Sequence, residues 1–383
     1  MAGVTNPAFR QLCRGFGEAL YVSEMITARA LVERNEKTLR MVARAPDEPV
    51  HSVQLYGVDP AVVAVAVAIL VDEIGVDHVD LNFGCPAPKV TRKGGGAALP
   101  AHPVLYRHVI RAAVGAAGSV PVTVKMRMGL DQSNPTALTA ALIAEEEGVA
   151  AVALHARTAE QRYSGPARWT AIAELKEAVK SIPILGNGDI WEAGDAVAMQ
   201  ARTGCDGVVV GRGCLGRPWI FAELAAVLTP DGAAPAPARR QDRAGPKPVR
   251  PPDQTGPPPA RTRYRAPHLG SVAAVMADHA RLLASYMGEP AGLRDFRKHT
   301  GWYLAGFPVG AETRRRLASV VSLAQLEQLL ERLDPDVPLP DAGRRLPRGH
   351  TDGPRPVALP DGWLDRPDDP CPPAHADLAV SGG

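Results

Sequence analysis

The chain has 383 residues, 45% of them apolar and 22% charged, with a net charge of +2, which is room for one large α/β domain and a smaller companion in an ordinary water-facing protein. Aromatics are too sparse for a carbohydrate surface, and the longest apolar run, Ala61 to Leu70, is too short to cross a bilayer and soon meets Asp72 and Glu73. No apolar leader follows Met1, and the five cysteines form neither a C-x-x-C pair nor a cluster with histidine, which excludes a zinc site and a disulfide framework and fits a reducing cytoplasm.

From Met1 to about residue 225, short β-branched runs alternate with amphipathic stretches. "PAFRQLCRGFG" places Phe9, Leu12, Cys13 and Phe16 on one helical face after Pro7, which makes Cys13 a core residue. Strands are expected in "LYVSEM" (20–25), "HSVQLYG" (51–57), "VDHVDLN" (76–82), "VPVTVKMR" (120–127), "VAAVALHART" (149–158), "IPILGNGD" (182–189) and "CDGVVVGRG" (205–213). Between the fourth and fifth, "PTALTAALIAEEEG" reads as a helix closed by Gly148. Strand, helix, strand at roughly thirty-residue spacing means βαβ units and a parallel sheet. The strand ends carry Glu24, Gln54, Asn82, Lys125, His155, Asn187 and Arg212. Functional side chains at many strand ends favour a (β/α)8 TIM barrel over a doubly wound sheet, which gathers them in one or two crevices. Such a barrel lacks its first strand here, because Met1 leads straight into the first helix, and an upstream start is expected.

The barrel reading covers 1–228. Residues 229–268 are rich in Pro, Gly and Arg, with eight basic residues against two Asp between Arg239 and Arg265, and read as a disordered linker. Helical pattern returns over 269–334, where "SLAQLEQLLERL" offers a capping box, Ser322 and Gln325, and a stripe of Leu326, Leu329, Leu330 and Leu333. Residues 335–383 carry eight acids against five bases and are dominated by Pro, Gly and Asp, so the tail is expected to lack order, to be dispensable for catalysis and to leave Cys371 incidental. The rest of the chain then sits at +5, an excess that permits a polyanionic partner.

Two glycine-rich turns close the α/β region, "GNGDI" (186–190) and "GRGCLG" (211–216). The second matches G-x-G-x-x-G, but the acidic residue a dinucleotide fold needs about twenty positions on is missing. In a barrel, the loops after the last two strands are the usual phosphate site, with glycine backbone N–H groups and Arg212 facing the phosphate. One phosphate site with Gln54, Lys125 and Asn187 suggests a flavin mononucleotide, whose pyrimidine edge takes amide hydrogen bonds and whose reduced ring favours a nearby cation. Lys125 as the Schiff base of an aldolase is the competing barrel chemistry, and it gives no role to the cysteine in "DLNFGCPAPKV". That residue, Cys85, lacks partners for a metal. Packing, a thiolate nucleophile near Lys89, Arg92 and Lys93, and a thiol proton donor all stay open on these grounds.

Taken together, "MAGVTNPAFRQLC", "VQLYG", "DLNFGCPAPKVTRKGGGAAL", "VTVKMRMG", "HARTAEQRYSGPARW", "GNGDI", "DGVVVGRGCLGRPWIF" and "RKHTGWYL" resemble the tRNA-dihydrouridine synthases, nearest the bacterial B-type branch. The resemblance runs from Met1 to about 226 and resumes over about 271–333. It implies an FMN-containing barrel, a helical tRNA-binding domain and reduction of one uridine class, expected in the D-loop, at the expense of NADPH. Met1, Ala2, Gln54, Lys125, His155, Asn187, Gly188, Asp189, Gly211 and Arg212 match flavin-contacting positions, Cys85 matches the catalytic cysteine, and Asn82 is a candidate uracil ligand. The mechanism so implied passes hydride from the flavin N5 to uracil C6, with Cys85 protonating C5. Arg294, Arg297, Lys298 and Arg314–Arg316 would grip the tRNA backbone. "HART" has Ala156 where the family commonly has glycine. A cytoplasmic monomer without metal or membrane is expected. The competing functions are a flavin-dependent barrel reductase of a small pyrimidine or enone and a tRNA-binding protein with an impaired flavin site.

Overall fold

All seven expected strands form: β1 (Val22–Thr27), β2 (Ser52–Tyr56), β3 (His78–Phe83), β4 (Val122–Arg127), β5 (Ala151–His155), β6 (Ile184–Asn187) and β7 (Gly207–Val209). The computed structural model describes residues 1–45, 47–228, 267–349, 353–374 and 376. The strands make one sheet in chain order, every neighbouring pair parallel. Helices fill the connections, as parallel pairing requires. This is the strand and helix succession of a (β/α)8 barrel with β1 and β7 at its two edges; no strand precedes the helix Pro7–Arg14 among the described residues. Cys13 lies on that helix and is buried as expected.

Alternation along the strands divides their side chains between two faces. Val53, Leu55, Val79, Leu81, Val124 and Val152 join Val63, Val67, Leu105, Val109 and Ile110 of the crossover helices in one apolar core. The alternate positions are polar, and the register brings them level. Gln54 pairs with Asp80, Asn82 with Lys125, and His155 with Asn187. One end of the strand layer is therefore polar before any loop is considered.

Helices Leu269–Met287, Glu289–Tyr303, Ala311–Leu317 and Leu323–Leu330 build a second core around Met276, Leu283, Phe296 and Leu326, which also takes Trp219 and Ala8 from the barrel side. Half of the expected capping box forms. Ser322 accepts from the Gln325 N–H, but Gln325 returns its side-chain oxygen to Val321 rather than to Ser322.

Two histidines lie at the junction of the two cores. Phe9 of the first helix stacks near His279 and His299, and the Tyr303 hydroxyl meets His279 Nδ1 at 3.0 Å. Burial pushes His279 down to about 3 and His299 well below the ordinary imidazole value, so both are neutral in the fold. Unfolded imidazoles titrate near 6.5 and bind the protons that the fold refuses. Stability is then complete above that pH and falls as pH drops toward 3, by roughly 1 kcal/mol per pH unit for each histidine. Urea unfolding at pH 7 and pH 5 checks this, with His279→Phe expected to flatten the slope; equal slopes in the two proteins would contradict it.

The linker expected at 229–268 lies almost wholly outside the described residues. The tail corrects its expectation. Leu269 donates its N–H to the Val337 carbonyl, Leu339 and Arg348 are buried, and Trp363 is only 6% exposed against the barrel. A Pro/Gly/Asp segment cannot build a core of its own, yet single large side chains suffice to dock it on an existing one. Composition reports only the first of these.

Candidate active site

β3 ends in Asn82 and Phe83, and the chain turns through Gly84, Cys85 and Pro86. Asn82 makes that turn. Its Oδ1 accepts from the N–H groups of Gly84, at 3.1 Å, and Cys85, at 2.9 Å. Its Nδ2 donates to Gln54 Oε1 at 2.8 Å, and Gln54 Nε2 donates to Asp80 Oδ2 at 2.6 Å. Thr123 Oγ1 donates to Asp80 Oδ1 at 2.6 Å and lies 2.9 Å from His78 Nε2. The turn that carries Cys85 is thus fastened to β2 and β4 through one continuous polar network. Burial raises the Asp80 carboxyl, and its bonds from Thr123 and Gln54 only partly oppose that.

Arg127, at the end of β4, fastens the same turn from the other side. Its Nε donates to the Gly84 carbonyl at 2.8 Å, while Nη1 reaches the carbonyls of Thr158 at 2.9 Å and Arg162 at 2.7 Å. The guanidinium also lies 5.5 Å from the centre of the Tyr163 ring. One side chain therefore joins the loop after β3 to the loop after β5.

Cys85 is a free, half-buried cysteine packed beside Met25, Tyr56 and Val90. Burial raises its thiol above the ordinary cysteine value, against weaker pulls from the Ala87 N–H, Arg127 and Lys89. Cys85 is therefore a thiol at neutral pH. Lys89, one of the three nearby bases in sequence, does not reverse this. Alkylation of Cys85 by iodoacetamide should keep climbing through pH 9 without levelling, since only the thiolate reacts. A plateau near neutral pH would show a thiolate.

Lys125 precedes Arg127 by two and so shares its face of β4. Burial first, then Arg127, pushes its ammonium down to about 8, and it makes no hydrogen bond among the described residues. His155 is buried with Nε2 3.3 Å from Arg157 Nη1. Burial, with Arg127 and Lys125 alongside, holds it neutral. Arg157 can only donate, so Nε2 accepts and the ring proton sits on Nδ1. Asn187 Nδ2 donates to the Val209 carbonyl at 2.6 Å, leaving its oxygen available. Gly188 has φ +122°, and a Cβ there would stand 2.7 Å from Ala167 Cβ and 3.2 Å from His155 Cδ2, so glycine alone keeps this cradle open.

The Asp189 side chain is paired within the protein. Its carboxylate is taken by Arg157 Nη2, at 2.6 and 2.8 Å, and by the Ala167 N–H, which leaves its backbone as its free face. Gly211 has open space where a Cβ would go, and Arg212 heads a short 3-10 turn with its guanidinium 4.0 Å over Tyr163. The Met1 amino group donates to Thr5 Oγ1 at 2.8 Å. Burial lowers its pKa against the nearby Glu24 carboxylate. Ala2 is exposed. In the helical domain, Arg297 and Arg314 are spent on backbone carbonyls, whereas Arg294, Lys298, Arg315 and Arg316 are exposed, Lys298 paired with Asp295 and Arg315 with Glu312.

The strand ends thus form a chamber in which Lys125, Arg127, Arg157 and Arg212 outnumber the carboxylates, Asp189 being paired with Arg157. Such a chamber suits an anionic, electron-rich ligand. Asp80, Arg127 and Arg157 were absent from the candidates, although each lies two residues from one of them, Asn82, Lys125 and His155. Period-two alternation along a strand is the signal that finds all three. Tyr163 sits in a loop, and no periodicity reaches it. Among the described residues no three His, Cys, Asp or Glu side chains are grouped to hold a metal ion, and no helix is long and apolar enough to cross a membrane.

A sequence model described as "Dihydrouridine synthase (Dus)" matches residues 1–336. Over the whole chain, the protein is 50% identical to a "Probable tRNA-dihydrouridine synthase" of Mycobacterium leprae, covering 99% of that protein. It is also 50% identical to the protein so described in Mycobacterium tuberculosis, covering 93% of it. Against the tRNA-dihydrouridine synthase B of Pseudomonas aeruginosa the identity is 39%, over 82% of this chain and 85% of that one. The chain therefore belongs to the dihydrouridine synthase family.

Proposed function

We propose that this protein is a tRNA-dihydrouridine synthase, an oxidoreductase that reduces the C5–C6 bond of a D-loop uridine with bound FMN as cofactor and NADPH as reductant. The observation that carries this is Cys85, kept as a thiol and held by Asn82 and Arg127 beside strand ends rich in cations.

The chamber suits a flavin. Lys125 is half-buried and without a hydrogen-bond partner among the described residues, Gln54 keeps one N–H and one lone pair beyond its present bonds, and Asn187 keeps its carbonyl oxygen. These three would hold the ring, with His155 and Met1 beside it. The Gly188 cradle, the backbone of Ala2, Asp189 and Gly211, and the charge of Arg212 would hold the rest of the cofactor and its phosphate. Bound there, FMN supplies the two-electron link between NADPH and the uracil.

Every further step belongs to the protein. Lys125 places a cation against the electron-rich ring and favours its reduced form. The uracil must leave its stack to enter the chamber, and the second Asn82 N–H is free to orient it. The Cys85 thiol then gives its proton to C5 and recovers one from solvent. Arg294, Lys298, Arg315 and Arg316 supply exposed charge for tRNA phosphates. Incubating the purified protein with FMN, NADPH and unmodified tRNA should yield dihydrouridine, read as a two-hydrogen mass gain in the digested tRNA. Reduction of free uracil at an equal rate, with tRNA untouched, would favour a small-molecule reductase instead.

A further inference from the structure

We infer that the segment 353–374 is a strap that positions the loop bearing Cys85, with Trp363 as its positioning residue. The match to the family ends at residue 336, so this segment lies beyond it. It follows the loops at the polar end of the strands. Gly349 lies beside Leu215 and Arg212 after β7, the Arg355 N–H donates to the Glu160 carbonyl after β5, and Leu359 packs on the barrel core.

Trp363 is the deepest contact. Its ring stacks on His102 with centroids 3.6 Å apart, Nε1 donates to the Ala98 carbonyl at 3.1 Å, and its own carbonyl lies 2.5 Å from His102 Nε2. Gly94, at φ +76°, makes room for it. A Cβ there would stand 2.6 Å from the Trp363 ring and 2.9 Å from Pro373. The residue before Ala98 closes the link, because the Ala97 N–H donates to the Cys85 carbonyl at 3.0 Å. The stretch Gly94–Ala98 is thus gripped by Trp363 on one side and grips Cys85 on the other. Gly84 and Asn82 fix the start of the turn, and the strap fixes its return. Without Trp363 that return keeps the core packing of Ala98 and Leu99 and the Gly95 N–H bond to the Val90 carbonyl but loses its outer clamp, and Cys85 is held less tightly.

The inference rests on Cys85 being the reacting group, so its test reads the thiol directly as well as turnover. Iodoacetamide alkylation of the full-length protein is followed peptide by peptide, with added N-acetylcysteine as the reference thiol, since exposed Cys371 lies on the strap itself. Trp363→Ala should speed alkylation of Cys85 about tenfold relative to the added thiol, as local opening replaces a fixed loop. In tRNA reduction it should lower kcat with KM unchanged. Trp363→Phe, which keeps the stacking on His102 and loses the bond to Ala98, should stay within about threefold of the parent. If Trp363→Ala does not fold, His102→Gln must show the same acceleration. Cys85 reactivity unchanged in a variant that melts normally would overturn the inference. So would acceleration shared by buried Cys13 and Cys214, which would mean general loosening. A parent protein inactive on tRNA would count against the function proposed above and leave the alkylation result standing.

Discussion

Replacing Cys85 by alanine is expected to slow tRNA reduction by about 10²–10⁴-fold, the usual worth of a positioned proton donor. The fold and ligand binding should be untouched. Alanine keeps both backbone bonds at this position, from its N–H to Asn82 Oδ1 and from Ala97 to its carbonyl, so the turn keeps its shape. What disappears is a proton source of suitable acidity. Burial keeps the thiol protonated at neutral pH, and activity should fall on the alkaline side as the thiolate forms, not on the acid side. Pre-steady-state reduction of unmodified tRNA measures the effect, and an alanine variant as fast as the parent would remove Cys85 from the chemistry.

Arg127→Ala is expected to cost about 3 kcal/mol of folding stability, since it strips donors from three carbonyls at once at roughly 1 kcal/mol or more each. The carbonyls are those of Gly84, Thr158 and Arg162, and the arginine side chain that serves them is 4% exposed, with little water to take its place. Burial brings the guanidinium down to about 10, still charged at neutral pH. Arg127→Lys should recover little, because an ammonium cannot serve two loops with one planar fork. Urea unfolding gives the number. The folded fraction of the alanine variant should also show faster Cys85 alkylation, as Gly84 is released. A loss below about 1 kcal/mol would mean that other donors replace the arginine.

Much of this arrangement could be read before any coordinates. β-branched runs separated by helical stretches located all seven strands, with bounds that moved by only a few residues, as "VPVTVKMR" shows against the observed Val122–Arg127. Polar residues at strand ends pointed to one end of the sheet, where the register does bring Asn82 level with Lys125 and His155 with Asn187. Contacts made across the chain were the part that local pattern could not hold. Arg127 bridges loops 31 and 43 residues away, and Trp363 reaches Ala98 across 265 residues. Neither spacing leaves a trace in composition. The tail illustrates the failure most clearly. Its Pro, Gly and Asp content correctly denies it a core, and docking by one tryptophan needs none. Side-chain pairings were equally out of reach. Residue type alone does not say that the Asp189 carboxylate goes to Arg157, or that Arg314 goes to the carbonyls of Leu304, Phe307 and Val309.

The most direct test of the proposed chemistry is a single turnover. Protein loaded with FMN and reduced by NADPH is freed of excess reductant and mixed anaerobically with unmodified tRNA, and return of the oxidised flavin absorbance is followed beside dihydrouridine formation. Prompt reoxidation with matching dihydrouridine in the parent, and neither in Cys85→Ala, is the predicted result. Equal reoxidation by fully modified tRNA, or an undiminished rate in the alanine variant, would contradict it.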